Sequence, residues 1–203
     1  MSNSYWDITY AQWLYQYLLS DIGNDFGVSG LMGNLYAESY ICPFICEGDT
    51  STNFATSDYY TNYDLRSNTR SYFISFHLPG TASSKTGYSL AQWTTSGRKG
   101  NYFDYVGQSN LGDSILSAHF LLDELKTGYS STYNVLVNAS SIAQASDYVL
   151  EHYEAPLNWQ QYINIRRQYS QQVYDDFSGL PPVPVNPIPI WLLKKSINNR
   201  RRK

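Results

Sequence analysis

Gly30-Leu31-Met32-Gly33-Asn34-Leu35-Tyr36-Ala37-Glu38-Ser39-Tyr40 is the stretch on which the fold of this chain turns. The segment from Val28 to Tyr40 reads as a helix, with Leu31, Met32 and Leu35 on its apolar side. Gly30 and Gly33 weaken such a helix unless something packs closely against it. Pro43 keeps it from running far. Glu38 therefore stands at the C-terminal end of a largely apolar helix. The partial negative charge of that end disfavours a carboxylate, and burial among apolar groups does the same. Its neighbours Leu35, Tyr36, Ala37 and Tyr40 add no positive charge. Such a setting keeps a carboxyl protonated near neutral pH and suits it to act as a general acid.

Outward from this stretch the chain is mostly helical. Before it, Thr9 to Ser20 reads as a helix, with Gly23 just beyond its end. After it, Glu47 to Lys85 is polar, rich in Ser, Thr, Asn, Asp and Tyr, and lacks helical period over most of its length; so long a polar segment marks a functional lobe or lid. Within it, Arg70 to Leu78 alternates, with Tyr72, Ile74, Phe76 and Leu78 on one side, and predicts part of a β-hairpin. Ser114 to Lys126, Ser141 to Tyr153 and Asn164 to Phe177 carry helical spacing. The body, residues 1–178, is expected to be one domain. Residues 179–190 form a Pro-rich linker holding Pro181, Pro182, Pro184, Pro187 and Pro189. Residues 191–203 form a basic segment with Trp191, Leu192, Leu193 and Ile197 as its apolar residues. That tail suits docking on an anionic membrane or a partner protein; a solubilising tail is the alternative.

Composition narrows the function. The 203 residues carry a net charge of −3, with 42% hydrophobic and 15% charged residues, as a folded body does and a disordered chain does not. No global basic field points to nucleic acid. The last ten residues hold six Lys or Arg, so the rest is distinctly acidic. Twenty Tyr and five Trp offer apolar faces with polar edges, suited to sugars and wet grooves. The N-terminus lacks a basic start and an apolar run, so no secretory signal is expected. No stretch of about 18 apolar residues predicts a membrane span. Cys42 and Cys46 give no disulfide framework and are expected to be free thiols. His77, His119 and His152 are scattered and form no metal-ligand pair with them. No phosphate-binding loop, dinucleotide fingerprint or serine nucleophile elbow occurs.

Three blocks in order resemble the phage tail lysozyme family. Gly30-Leu-Met-Gly-Asn-Leu-Tyr-Ala-Glu-Ser39 is similar to its first signature. Gly87-Tyr88-Ser89-Leu90-Ala91-Gln92-Trp93-Thr94, followed by Arg98, is similar to its second. Tyr153-Glu154-Ala155-Pro156, with Arg166 or Arg167 following, is similar to its third. The blocks span Gly30 to about Phe177. The resemblance implies an α+β, predominantly helical, lysozyme-like fold with a small β-lobe across a cleft. It implies a muramidase, that is, a glycoside hydrolase cutting the glycan strand of peptidoglycan, with Glu38 as its acid. Gln92, Trp93, Tyr88 and Tyr153 become candidate substrate-binding residues, with Trp93 either stacking on sugar or packing in the wall and Glu154 in a structural hydrogen-bonding role. No cofactor is expected. Ser89 stands where the family usually has Gly, and Ala155 where it has a basic residue. The long polar segment leaves the second carboxylate open: Glu47 is the first choice, with Asp49, Asp58 and Asp64 as alternatives, and none need be essential.

The expected partners are peptidoglycan strands, together with phage tail proteins or an anionic membrane through the tail. The expected location is the virion, or the host cytoplasm before release, with action at the cell wall. Two rivals remain at this level. A lytic transglycosylase cleaves the same bond without adding water, and a non-catalytic glycan-binding or tail-assembly module keeps the scaffold alone.

Overall fold

The structure, a computed structural model, describes residues 5–81 and 85–181. Among these, nine α-helices are joined by short 3-10 turns: α1 (Ile8–Ile22), α2 (Asp25–Ser39), α3 (Ala55–Tyr63), α4 (Arg70–Ser75), α5 (Ser96–Val106), α6 (Ser114–Thr127), α7 (Ser130–Val137), α8 (Ile142–Val149) and α9 (Ile163–Phe177). The basic tail and all of the Pro-rich linker beyond Pro181 lie outside the described residues.

Helix α2 is the axis of the fold. Asn24 caps its start, accepting from the Phe26 and Gly27 N–H groups at 3.0 and 3.2 Å. The Asn24 side-chain amide donates to the Val137 and Ala139 carbonyls, 3.0 Å each, tying α2 to the end of α7. The helix is buried all round from Gly27 to Tyr36, as a helix with no polar face must be. Its glycines make this possible. A β-carbon at Gly30 would run into Ala145 and Ser146 of α8, and one at Gly33 into the backbone of Ser170 in α9. The packing that the sequence demanded of these glycines is thus supplied by α8 and α9. The helix ends at Ser39, where Tyr40 and Ile41 take left-handed φ of 52° and 60°. The Tyr40 N–H still donates to the Tyr36 carbonyl at 2.8 Å. Pro43 follows only after this turn.

The expected β-lobe is absent. No β-strand occurs among the described residues, and only two isolated antiparallel bridges form, Cys46 with Tyr88 and Tyr88 with Trp93. The α+β expectation is corrected to an all-helical body. The polar segment instead folds into a 3-10 turn at Thr52–Phe54, α3, a second 3-10 turn at Leu65–Ser67, and α4. Arg70 to Leu78 shows why the alternation misled. Tyr72, expected on the buried side, is exposed, whereas Phe73, on the other side, is fully buried. Phe73 and Phe76, three residues apart as on a helix face, are buried, and so is Leu78 beyond the end of α4. The Thr69 hydroxyl accepts from the Tyr72 N–H and starts α4.

Candidate active site

The end of α2, the loop through Cys46 and Asp49, the turn around Gln92, the start of α5 and the turn ending at Pro156 enclose a cleft of about 320 Å³. Glu38 and Glu154 line it from opposite ends of the sequence, with Tyr40, Glu47, Gln92 and Arg98 between them. All three sequence blocks therefore reach one cavity.

Glu38 lies in the last turn of α2 and is ion-paired with Arg166 of α9. Arg166 is buried, and its other guanidinium nitrogen donates to the Asn34 carbonyl at 2.6 Å. The local sequence around Glu38 held no positive charge, but the fold brings one from 128 positions away. The Asn34 amide donates to the Gly30 and Ser146 carbonyls at 2.9 and 3.1 Å, fixing the turn on which Arg166 rests.

The candidates for a second carboxylate separate by geometry. Glu47 is exposed on the cleft wall, its Oε2 accepting from the Gly87 N–H at 2.8 Å while its own N–H donates back to Gly87 at 2.8 Å. Asp49 also reaches the cleft, but its carboxylate accepts four hydrogen bonds from Ser51 and Ser57. Burial works against its charge, and those bonds outweigh burial and hold its carboxyl below the ordinary range. Asp49 is thereby committed to holding its loop. Asp58 accepts from Asn62, and Asp64 from Asn68 and Tyr72; neither is among the residues lining the cleft.

Glu154 differs from all of these. It is half-buried at the end of the π-helical turn Leu150–Glu154, and its Oε1 is buried without a hydrogen-bond partner. Burial, followed by the nearby Glu38 carboxylate, pushes its carboxyl well above the ordinary range, against the pull of Arg98 and Arg166. The structural hydrogen-bonding role expected for it belongs instead to a residue that the motifs did not touch.

That residue is Glu124 of α6. Its carboxylate, almost fully buried, accepts from the Trp93 indole N–H at 2.9 Å, the Tyr153 hydroxyl at 2.7 Å, and Arg98 Nε and Nη2 at 2.8 and 2.9 Å. The Arg98 guanidinium also lies 4.6 Å from the Tyr153 ring centroid. A carboxylate among Leu121, Leu122 and Leu125, on the apolar side of α6, was the signal in the sequence, since a buried charge requires partners.

This hub decides how the proposed sugar contacts are placed. Trp93 is fully buried and stacks on Tyr102 at 4.7 Å between centroids, so it packs and does not stack on sugar. Tyr88 and Tyr153 are buried as well and form the wall behind the cleft. Of the four, Gln92 alone lines the cavity; its side-chain amide donates to the Ser89 carbonyl at 2.8 Å. Ser89 has a φ of 68°, which accounts physically for the glycine usual there. Cys42 and Cys46 are buried and form no disulfide, and burial pushes the Cys46 thiol up to about 12, far from nucleophilic use. Among the described residues no helix is long and apolar enough to cross a membrane, and no three His, Cys, Asp or Glu side chains converge as a metal site.

Comparison with known proteins agrees with the three blocks. A family model described as Phage tail lysozyme matches residues 9–177, most of the chain and all of the cleft. No curated protein and no solved structure matches.

Proposed function

The chain belongs to the phage tail lysozyme family, and from that premise we propose that it hydrolyses the glycan strand of peptidoglycan with Glu38 as general acid. Family membership directs its chemistry to peptidoglycan and fits a location in a phage tail. The finer reading rests on one observation: the cleft gathers Glu38, Gln92, Arg98 and Glu154 from blocks far apart in sequence, and Glu38 is carried there by a helix buried along most of its length. In this reading the glycosidic oxygen meets Glu38. Gln92 orients the sugar or the attacking water. Glu47, held by Gly87, faces the developing positive charge on the sugar carbon or activates that water. Substrate selection follows from a wall of polar and half-exposed groups rather than from a stacked indole.

The test is digestion of purified peptidoglycan by the full chain and by Glu38→Gln, with mass spectrometry of the fragments. Wild type is expected to release reducing muropeptides. The Gln variant should lose about 10²- to 10⁴-fold in rate, the range general acid catalysis commonly contributes, while keeping its fold and its binding to the glycan. Fragments ending in an anhydro-sugar would reassign the reaction to a lytic transglycosylase, and no fragments from wild type would leave a glycan-binding module.

A further inference from the structure

Glu154 belongs to no role assigned so far, yet it lines the same cleft as Glu38. Resting on the reading of Glu38 as the acid, we propose that Glu154 is a positioning residue that holds the proton Glu38 delivers, the two carboxyls sharing a single proton in the resting enzyme. Three observations carry this. Glu38 is occupied by the Arg166 guanidinium in an ion pair. Glu154 faces the same cavity with one oxygen buried and without a hydrogen-bond partner. Two carboxylates at one site cannot both ionise cheaply, so a proton is retained on the member lacking a cationic partner of its own.

The charged groups around Glu154 are Glu38 from α2, Arg98 from α5, Glu124 from α6 and Arg166 from α9. Arg98 is engaged by Glu124 and Arg166 by Glu38. Neither guanidinium donates a hydrogen bond to Oε1 of Glu154. Burial and the Glu38 charge both act in the same direction.

The step balances without any co-reactant beyond water. As the glycosidic C–O bond breaks, its electron pair goes to the leaving oxygen. The single proton of the pair passes from Glu154 to Glu38 and from Glu38 to that oxygen, leaving both carboxyls ionised. Water then supplies hydroxide to the sugar carbon, and its remaining proton returns to the pair. The Arg166 guanidinium keeps Glu38 aimed while the charge on the pair changes.

Two measurements test the pair, one of them independent of turnover. In the pH profile of kcat/KM, the alkaline limb of wild type reports loss of the shared proton. Glu154→Gln leaves Glu38 alone with Arg166, so the limb should move to lower pH by about one unit or more, with the rate at neutral pH falling at least about tenfold. A limb that superposes on that of wild type overturns the proposal, because an isosteric residue with a merely structural role does not shift it. In infrared difference spectra, wild type should show the carbonyl stretch of a protonated carboxyl at neutral pH, and Glu154→Gln should lack it. In Glu38→Gln the same band should titrate at lower pH, since its repelling neighbour is gone. A band unchanged by both substitutions also overturns the proposal, and the Glu38→Gln arm stands if Glu154→Gln fails to fold. If instead Glu38→Gln keeps its activity while Glu154→Gln loses it, the reading of Glu38 as the acid fails, an outcome distinct from either of these.

Discussion

Lys99 shows what a single residue costs the molecule. It is fully buried, its ammonium donating to the Thr86 carbonyl at 3.0 Å and lying 4.8 Å from the Phe73 ring centroid. Burial pushes it down to about 8. Because the folded state binds this proton less tightly than the unfolded chain, where lysine titrates near about 10.4, stability should rise as pH climbs from about 8. The gain is limited to about 3 kcal/mol by the size of the shift. Above about pH 10 the buried Tyr10, Tyr88, Tyr102 and Tyr153 act oppositely, since their raised values let the unfolded chain ionise first. Urea denaturation at pH 7 and pH 9.5 should therefore show a higher midpoint at the latter, and Lys99→Met should flatten that slope. At this scale the sequence was legible where chemistry is local. Glu38 and its helix end could be read from eleven consecutive residues. Tyr88, Trp93 and Tyr153 could be placed near the cleft, but whether an aromatic ring faces water or core depends on Glu124, which no motif contains.

Among the elements, α2 has the least freedom to change. Gly33→Ala would press a methyl group into the backbone of Ser170, one helical turn beyond Arg166. We expect a loss of about 1–3 kcal/mol from overpacking, and a fall in activity larger than the stability loss explains, because α9 carries the partner of Glu38. Gly97→Ala is the control: its β-carbon would meet nothing within 4 Å at the start of α5. That change should be neutral or stabilising by up to about 1 kcal/mol. Thermal melts of both variants, with rates measured well below the transition, separate the two effects. Helix existence was legible for the longer helices: Thr9–Ser20, Ser114–Lys126 and Asn164–Phe177 lie within one or two residues of α1, α6 and α9, whereas α5 and α7 were not read as helices. The lobe was not, because short helices such as α4 show too few turns for period 3.6 to stand out against period 2.

At the scale of the whole molecule, the site is held by contacts that no local window contains. Glu124 of α6 joins residues from the Gln92 turn, α5 and the π-helical turn that follows α8. Glu124→Gln should cost about 3 kcal/mol, since it leaves the half-buried Arg98 guanidinium without its counter-charge, and chemical denaturation would register the loss directly. A value near zero would mean that water reaches the hub. Removal of residues 182–203 should leave turnover on soluble glycan unchanged while lowering attachment to walls, anionic vesicles or virions in a sedimentation assay. Unchanged attachment would assign that segment a solubilising role alone.

The pairing of Glu38 with Arg166 also orders events in time. A growing polypeptide presents α2 early and α9 late, so the acid is made well before the cation that aims it. Until α9 docks, the nascent chain holds an exposed glycine-rich helix and no working cleft. If Glu38 is the acid proposed above, chains interrupted before Arg166 should release no fragments from purified peptidoglycan.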